Sequence, residues 1–189
     1  MRIIVLFIAA VLALAFDSGF SGLFTLKSLG NITPMAMPCV VVFVALFAPE
    51  ITALITVLLL GVLVDLSPGY GDLADGAYLI GPHALGFFVT GLFIMKFRNV
   101  VFRRRILTIV VFAVGCVLVT GAVEALVLII RGFMPWTPPI TSGGFGAFLK
   151  LIGSSIYTGI FAVPIGWCLL STIGIWRFHS PTGRRATWR

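Results

Sequence analysis

Six strongly apolar segments follow one another along this chain, separated by short stretches rich in charge, proline or glycine. The segments cover about residues 3–26, 35–47, 51–66, 79–97, 106–130 and 148–176, and a basic tail follows at 177–189. A helix needs roughly 20 apolar residues to cross a hydrocarbon core of about 30 Å. The pattern therefore predicts an all-α polytopic membrane protein, a single membrane domain built as a bundle of six transmembrane helices.

The composition favours lipid over water as the solvent of this chain. Of its 189 residues, 60% are hydrophobic and 10% are charged, and the mean hydropathy is +1.17. So few charged side chains cannot cover a soluble domain of this size. The net charge of +7 does not indicate a nucleic-acid partner, because the positive residues cluster at loop ends and in the tail. At such positions they orient helices and meet anionic lipid.

The distribution of positive charge predicts the orientation of the bundle. With a cytoplasmic N-terminus, ten of the 13 Lys and Arg residues lie on the inner side: Arg2, Lys96, Arg98, Arg103, Arg104, Arg105, Arg177, Arg184, Arg185 and Arg189. The outer side then holds Lys27, Arg131 and Lys150 with Asp17, Asp65, Asp72 and Asp75. Cytoplasmic loops accumulate Lys and Arg. We therefore expect six spans with both termini in the cytoplasm.

The first segment has two interpretations. Arg2, the apolar run behind it and Ala13-Leu14-Ala15 resemble a secretory signal with its cleavage site. Cleavage would leave five spans that start outside. We favour a retained anchor, because Phe16 would be a poor mature start and the apolar character resumes at 20–24.

The sequence predicts no cofactor, no metal site and no catalytic centre. Cys39, Cys116 and Cys168 lie in apolar segments without CxxC spacing, so we interpret them as packing residues. His83 and His179 fall at opposite predicted faces of the bilayer. Motifs such as GxSxG, HExxH and the Walker loop are missing from the sequence. We therefore expect a non-enzymatic protein.

Two acidic residues within the apolar segments are candidates for a functional role, because charges within spans are rare and usually functional. Asp65 ends the third segment, where its sign is unfavourable for a helix C-terminus. It is either a solvated helix end or a contact to a partner, and we expect Asp65→Ala to impair function without preventing insertion. Glu124 either pairs with Arg131 near the outer interface or forms a polar patch with Asp65 and His83.

Three short motifs in the third and fourth segments resemble the central hairpin of the bacterial rod shape-determining protein MreD family. They are Gly61-x-x-x-Asp65-Leu66-x-x-Gly69, Ile80-Gly81-x-x-Ala84-Leu85 and Lys96-Phe97-Arg98-Asn99. The resemblance covers about 61–99 and is architectural elsewhere. The chain departs from the family in an acidic insertion at 70–78, which separates Gly69 from Gly81.

The resemblance implies a scaffold of the cell-elongation machinery in the bacterial cytoplasmic membrane. Its partners would be the single-pass protein MreC, the actin-like MreB filament and the peptidoglycan polymerase complex, with anionic lipid at the basic inner face. The residues expected to serve partner interaction are Gly61, Asp65, Gly69, Gly81 and Glu124. Small residues allow close helix approach, so four glycines are candidates for lining a groove for a partner helix: Gly61, Gly86, Gly115 and Gly159.

One alternative of a different class remains open at this point. Substrate-binding membrane subunits of energy-coupling vitamin transporters are also six-span proteins of about this length. The pair Ala9-xxx-Ala13 is similar to their coupling surface. Such a protein would need polar ligand contacts in its outer half, which Asp65, His83 and Glu124 can supply.

Overall fold

The structure, a computed structural model, describes residues 3–26, 32–67, 80–98, 105–133 and 144–176. These residues form α1 (Ile3–Ala15), α2 (Met37–Phe47), α3 (Glu50–Asp65), α4 (Pro82–Phe97), α5 (Ile106–Gly132), α6 (Gly144–Ser171) and a short α7 (Ile173–Trp176). A π-helical turn (Phe16–Phe20) and a 3-10 turn (Ser21–Phe24) continue α1. Within these ranges no strand is present beyond one isolated bridge between Leu26 and Ile32. The all-α prediction is confirmed for this part of the chain.

Three of the helices are long and apolar enough to cross a membrane. They lie at Ile3–Phe20, Ile106–Ile130 and Phe148–Ser171, and two further apolar helices, Met37–Phe47 and Pro82–Phe97, are shorter. Large apolar side chains point outward along all three long helices. Such a surface is stable against lipid, where helices satisfy their own backbone groups. These apolar helices indicate a membrane protein, and three helices of the described residues could cross the membrane by length and composition. The six predicted spans remain a prediction.

The short helix α2 lies at the centre of the bundle. Every residue from Met37 to Leu46 is buried, and α2 packs against α1, α3, α4, α5 and α6. A helix that is hydrophobic on all sides belongs in the interior of a bundle. At 1.5 Å per residue its 11 residues span about 16 Å. Both polar ends of α2 therefore lie inside the protein and need partners there.

Glycines set how closely the neighbouring helices approach. A methyl group on Gly61 would overlap the Cα atom of Ala84, and one on Gly86 would lie 2.7 Å from the Cα atom of Thr120. One on Gly159 would lie 2.7 Å from Val114. Neighbouring helices of the bundle therefore occupy the space beside these three glycines, which the sequence predicted to line a groove for a partner helix. The fourth, Gly115, has no atom within 4 Å of the position that its Cβ would take.

The bundle has two chemically different ends. Asp17 follows α1, and Asp65 is the last residue of α3; both lie where α2 and α4 begin, and we call this the acidic end. At the opposite end, called the basic end, α4 closes on Lys96 and Arg98. There Trp176 of α7 is buried with its ring 5.0 Å from that of Phe43 in α2.

Candidate functional site

The Asp65 carboxylate is buried at the start of α4, although it belongs to the last residue of α3. Its Oδ2 atom accepts hydrogen bonds from the backbone N–H of Gly81 at 2.9 Å and of Ala84 at 3.0 Å. Its Oδ1 atom accepts from the backbone N–H of His83 at 3.1 Å. The residue is 0% exposed, so the solvated helix end considered from the sequence is wrong.

The unfavourable sign of Asp65 at the end of α3 has its explanation in α4. The first N–H groups of a helix have no partner within that helix, and they carry the positive end of its macrodipole. A carboxylate placed there accepts several of them at once. Asp65 therefore stabilises the start of α4, the helix that follows it in the hairpin. The end of α3 lies where a negative charge is favourable for α4.

His83 adds a side-chain donor to the same carboxylate. Its Nδ1 atom lies 2.9 Å from Oδ1 of Asp65, and the residue is 7% exposed. The His83 tautomer that carries a proton on Nδ1 donates to this oxygen, which also accepts from the backbone N–H of His83. The imidazole also meets the edge of Phe87, with 6.3 Å between ring centroids. The structure thus brings together Asp65 and His83, two of the three residues of the predicted polar patch, and Glu124 is not among the partners of either.

Two glycines of the family-like motifs make this geometry possible. Gly61 lies one turn before Asp65, and its missing side chain lets the Ala84 backbone reach α3. Gly81 has a φ of +127°, in the region that glycine adopts without strain. That conformation aims its N–H at Asp65. Gly61, Asp65, Gly81 and Ala84 therefore converge on one site.

The other two predicted site residues lie apart from this cluster or outside the description. Gly69 falls outside the described residues. Glu124 is partly buried in α5, one turn beyond Thr120. Among the described side chains, no hydrogen bond or ion pair engages its carboxylate. The side chain of Arg131, its expected partner, is also outside the description.

Sequence analysis missed Asp17, a second carboxylate that, like Asp65, accepts hydrogen bonds from the start of a helix. Asp17 lies in the π-helical turn after α1 and is 5% exposed. Its Oδ1 atom accepts from the backbone N–H of Ala36 at 2.6 Å, and its Oδ2 atom accepts from that of Met37 at 3.0 Å. These groups form the start of α2. The sequence predicts Asp17 only as one of the charges on the outer side.

A signal for this second site was present in the sequence. Asp17 follows the apolar run 3–16 and Asp65 lies at the end of the segment 51–66. The next helix after each aspartate has proline in its first two positions. The capped backbone lies 19 and 20 residues after Asp17, and 16 to 19 residues after Asp65. Comparing the two segment boundaries with each other would have found the correspondence.

The two capping sites touch one another at the acidic end. Ser18, beside Asp17, has its hydroxyl 3.3 Å from that of Ser67, which follows Asp65 by two residues. From the side, α6 supports the irregular segment before α2, where the Thr158 hydroxyl accepts from the Met35 N–H at 3.2 Å. This segment needs such partners because non-helical backbone at membrane depth must be satisfied by protein.

At the basic end, Arg98 closes α2 from the other side. One guanidinium nitrogen donates to the carbonyl of Ala48 at 2.9 Å, and the other donates to Oε1 of Glu50 at 2.8 Å. Ala48 is the C-cap residue of α2, directly after Phe47. The central helix is therefore held at both ends by charged side chains of other elements.

The polar side chains of this arrangement hold helix ends in position. Its acceptors and donors satisfy helix ends, and among the described residues no group of three or more His, Cys, Asp or Glu side chains is placed to hold a metal ion. Comparison of the chain with protein-family models, with curated proteins and with solved structures finds no match.

Proposed function

We propose that this protein is a scaffold of the bacterial cell-elongation machinery, with the role that its resemblance to the MreD family implies. It crosses the cytoplasmic membrane six times with both termini in the cytoplasm, and it binds the transmembrane helix of MreC. Through MreC it helps couple MreB filaments to the peptidoglycan polymerase complex. The observation that carries the proposal is the convergence of Gly61, Asp65, Gly81 and Ala84 on one helix start.

This convergence supports the proposal because it links residues that are distant in sequence. Residues of the first motif in α3 close on residues of the second motif at the start of α4, across 16 to 19 positions. If the motifs occurred only because the chain is rich in glycine and apolar residues, such contacts between them would not be expected. The motifs instead specify one rigid hairpin, which a partner can recognise as a fixed surface.

The capping of α2 and α4 also weighs against a substrate site at the acidic end. In transporters, the positive starts of interrupted helices point at anionic groups of the substrate. Here the two corresponding positions are filled by Asp17 and Asp65 of the chain itself. Asp65 and His83, which the transporter alternative needs as ligand contacts, are already paired with each other.

The position of Glu124 favours the alternative function, a substrate-binding subunit of an energy-coupling vitamin transporter. It is a partly buried charge within a long apolar helix. Ionisable residues in such positions commonly mark pathways or ligand sites. A vitamin carrying a positive group would be the matching ligand.

The basic end provides a second surface for the proposed scaffold. Lys96 and Arg105 are exposed there on either side of the α4–α5 connection. Positive residues at this level attract the anionic lipids of the cytoplasmic leaflet, at about 1 kcal/mol each. We propose that this face lies against anionic lipid and toward the cytoskeletal partner.

Purification from native membranes in mild detergent, followed by identification of bound proteins, tests the proposal. We expect MreC to be recovered with the wild-type chain. We also expect Gly115→Leu to reduce that recovery several-fold, because leucine there extends into space that the bundle leaves open. Gly174→Leu is the matched control, since Gly174 also has nothing within 4 Å but lies in the short helix α7, outside the long helices. Recovery of transporter ATPases and a bound vitamin would overturn the scaffold.

A further inference from the structure

Two hairpins of this protein share one arrangement, in which an aspartate near the end of one helix caps the start of the next. One of these aspartates, Asp17, belongs to none of the sequence motifs. In the first hairpin, α1 ends, Asp17 follows and α2 begins on its carboxylate. In the second, α3 ends on Asp65 and α4 begins on its carboxylate. Both second helices carry proline within their first two positions, where the missing N–H costs nothing.

The repeat continues from the carboxylates to the residues beside them. The hydroxyls of Ser18 and Ser67 meet at 3.3 Å, so the ends of the two hairpins are in direct contact. Asp17 therefore fixes more than the start of α2. It sets the position of the first hairpin end against the second, whose own position Asp65 sets.

We propose that Asp17 is a second positioning residue for the partner surface, and that Asp17 and Asp65 align the two hairpin ends into one recognition surface at the acidic end. The inference rests on the proposed function for the identity of the partner, but its geometric part does not. A carboxylate is required at both positions because each accepts at least two backbone N–H groups, one on each oxygen. Asparagine offers a single oxygen acceptor.

Disulfide trapping between positions 18 and 67 tests the geometric part. The three native cysteines are first replaced by alanine, and Ser18→Cys and Ser67→Cys are then introduced together. Since the two hydroxyl oxygens lie 3.3 Å apart, cysteines at these positions are within reach of a disulfide. The control pair is Ser67→Cys with Ser171→Cys, because Ser171 lies at the end of α6 near the basic end.

We expect oxidation in native membranes to cross-link the 18–67 pair and not the control pair. Adding Asp17→Ala should lower the cross-linking yield at least five-fold, with Asp17→Asn between it and the parent and Asp17→Glu restoring part of the yield. Where Asp17→Ala does not accumulate, the Asn and Glu variants decide the outcome. A yield unchanged by any of the three substitutions would overturn the proposal.

Recovery of MreC with the same variants, in a background that retains Ser18 and Ser67, tests the functional part. We expect Asp17→Asn to reduce recovery as strongly as Asp65→Asn, with both proteins present in the membrane at parental amounts. Normal recovery with Asp17→Asn, despite a lost 18–67 cross-link, would overturn the shared partner surface. If the wild-type chain recovers no MreC, the proposed function fails, whereas the cross-linking result stands by itself.

Discussion

Asp17 and Asp65 solve the same physical problem with different local structures. Each supplies carboxylate oxygens to a helix that starts inside the protein, where water cannot satisfy the first N–H groups. Asp65 is the last residue of a regular helix, and it reaches α4 because Gly61 lets the two backbones approach. Asp17 lies in a π-helical turn. Gly19 of this turn has nothing within 4 Å of the position that its Cβ would take, so no close backbone approach like that at Gly61 occurs there.

The surroundings of the two carboxylates also differ. Asp65 accepts from three backbone N–H groups and from the imidazole of His83, and it is 0% exposed. Backbone N–H groups of Ala36 and Met37 bind Asp17, which is 5% exposed. A cap that satisfies more buried donors contributes more stability, because each unsatisfied donor costs about 1–3 kcal/mol. The comparison therefore predicts an order of effects.

The largest expected effect is the loss of Asp65. Asp65→Ala leaves several buried donors without an acceptor, and we expect it to lower the free energy of unfolding in detergent by ~3–5 kcal/mol. Asp17→Ala should cost less, about 2–3 kcal/mol, since it removes the acceptor of the Ala36 and Met37 N–H groups, whereas Asp65→Ala removes the acceptor of three backbone N–H groups and of His83. Thermal or denaturant unfolding of both variants checks the order. A larger loss for Asp17→Ala would break the comparison.

This expectation changes the one drawn from sequence alone. The sequence alone predicts that Asp65→Ala impairs function without preventing insertion, so that a loss of function points to a partner. In the structure the charge is paired with a helix start, and its removal also weakens the hairpin. Asp65→Asn, which keeps one acceptor, is thus the better variant for separating partner binding from stability.

An intermediate effect is expected at the glycines beside the two caps. Gly61→Ala places a methyl group against the Ala84 backbone, and overpacking of this kind costs about 1–3 kcal/mol. Gly19→Ala, two residues after Asp17, meets nothing within 4 Å, so we expect a change within about 0.5 kcal/mol. Unfolding midpoints of the two alanine variants provide the measurement. Equal destabilisation would show that close backbone approach does not distinguish the sites.

The smallest effect is expected where the two sites meet. Ser18→Ala removes an exposed hydrogen bond between two hydroxyls, and water can replace the lost partner. We expect a loss of about 0.5 kcal/mol or less, together with unchanged recovery of MreC. A loss above ~1.5 kcal/mol would mean that the contact itself, rather than the two carboxylates, holds the hairpin ends together.

Part of this structure could be predicted because hydrophobic periodicity and length act locally. The predicted segments at 35–47, 51–66 and 106–130 each correspond to one helix whose ends differ from the prediction by two residues or fewer. The carboxylate at Asp65 was identified as exceptional for the correct local reason, its unfavourable sign at the end of α3. Its partner lay in the next helix, beyond the reach of a rule about a single helix.

What the sequence by itself determined is therefore the solvent of this protein, its helical class and the presence of unusual charges in apolar segments. These follow from composition and from the cost of burying unpaired polar groups in lipid. Only the tertiary structure decided which helix is central and which carboxylate caps which helix start. The tertiary structure also decided that Gly61 packs against another helix whereas the space beside Gly115 is open. Both properties depend on which helices pack side by side, and no local sequence pattern encodes that choice.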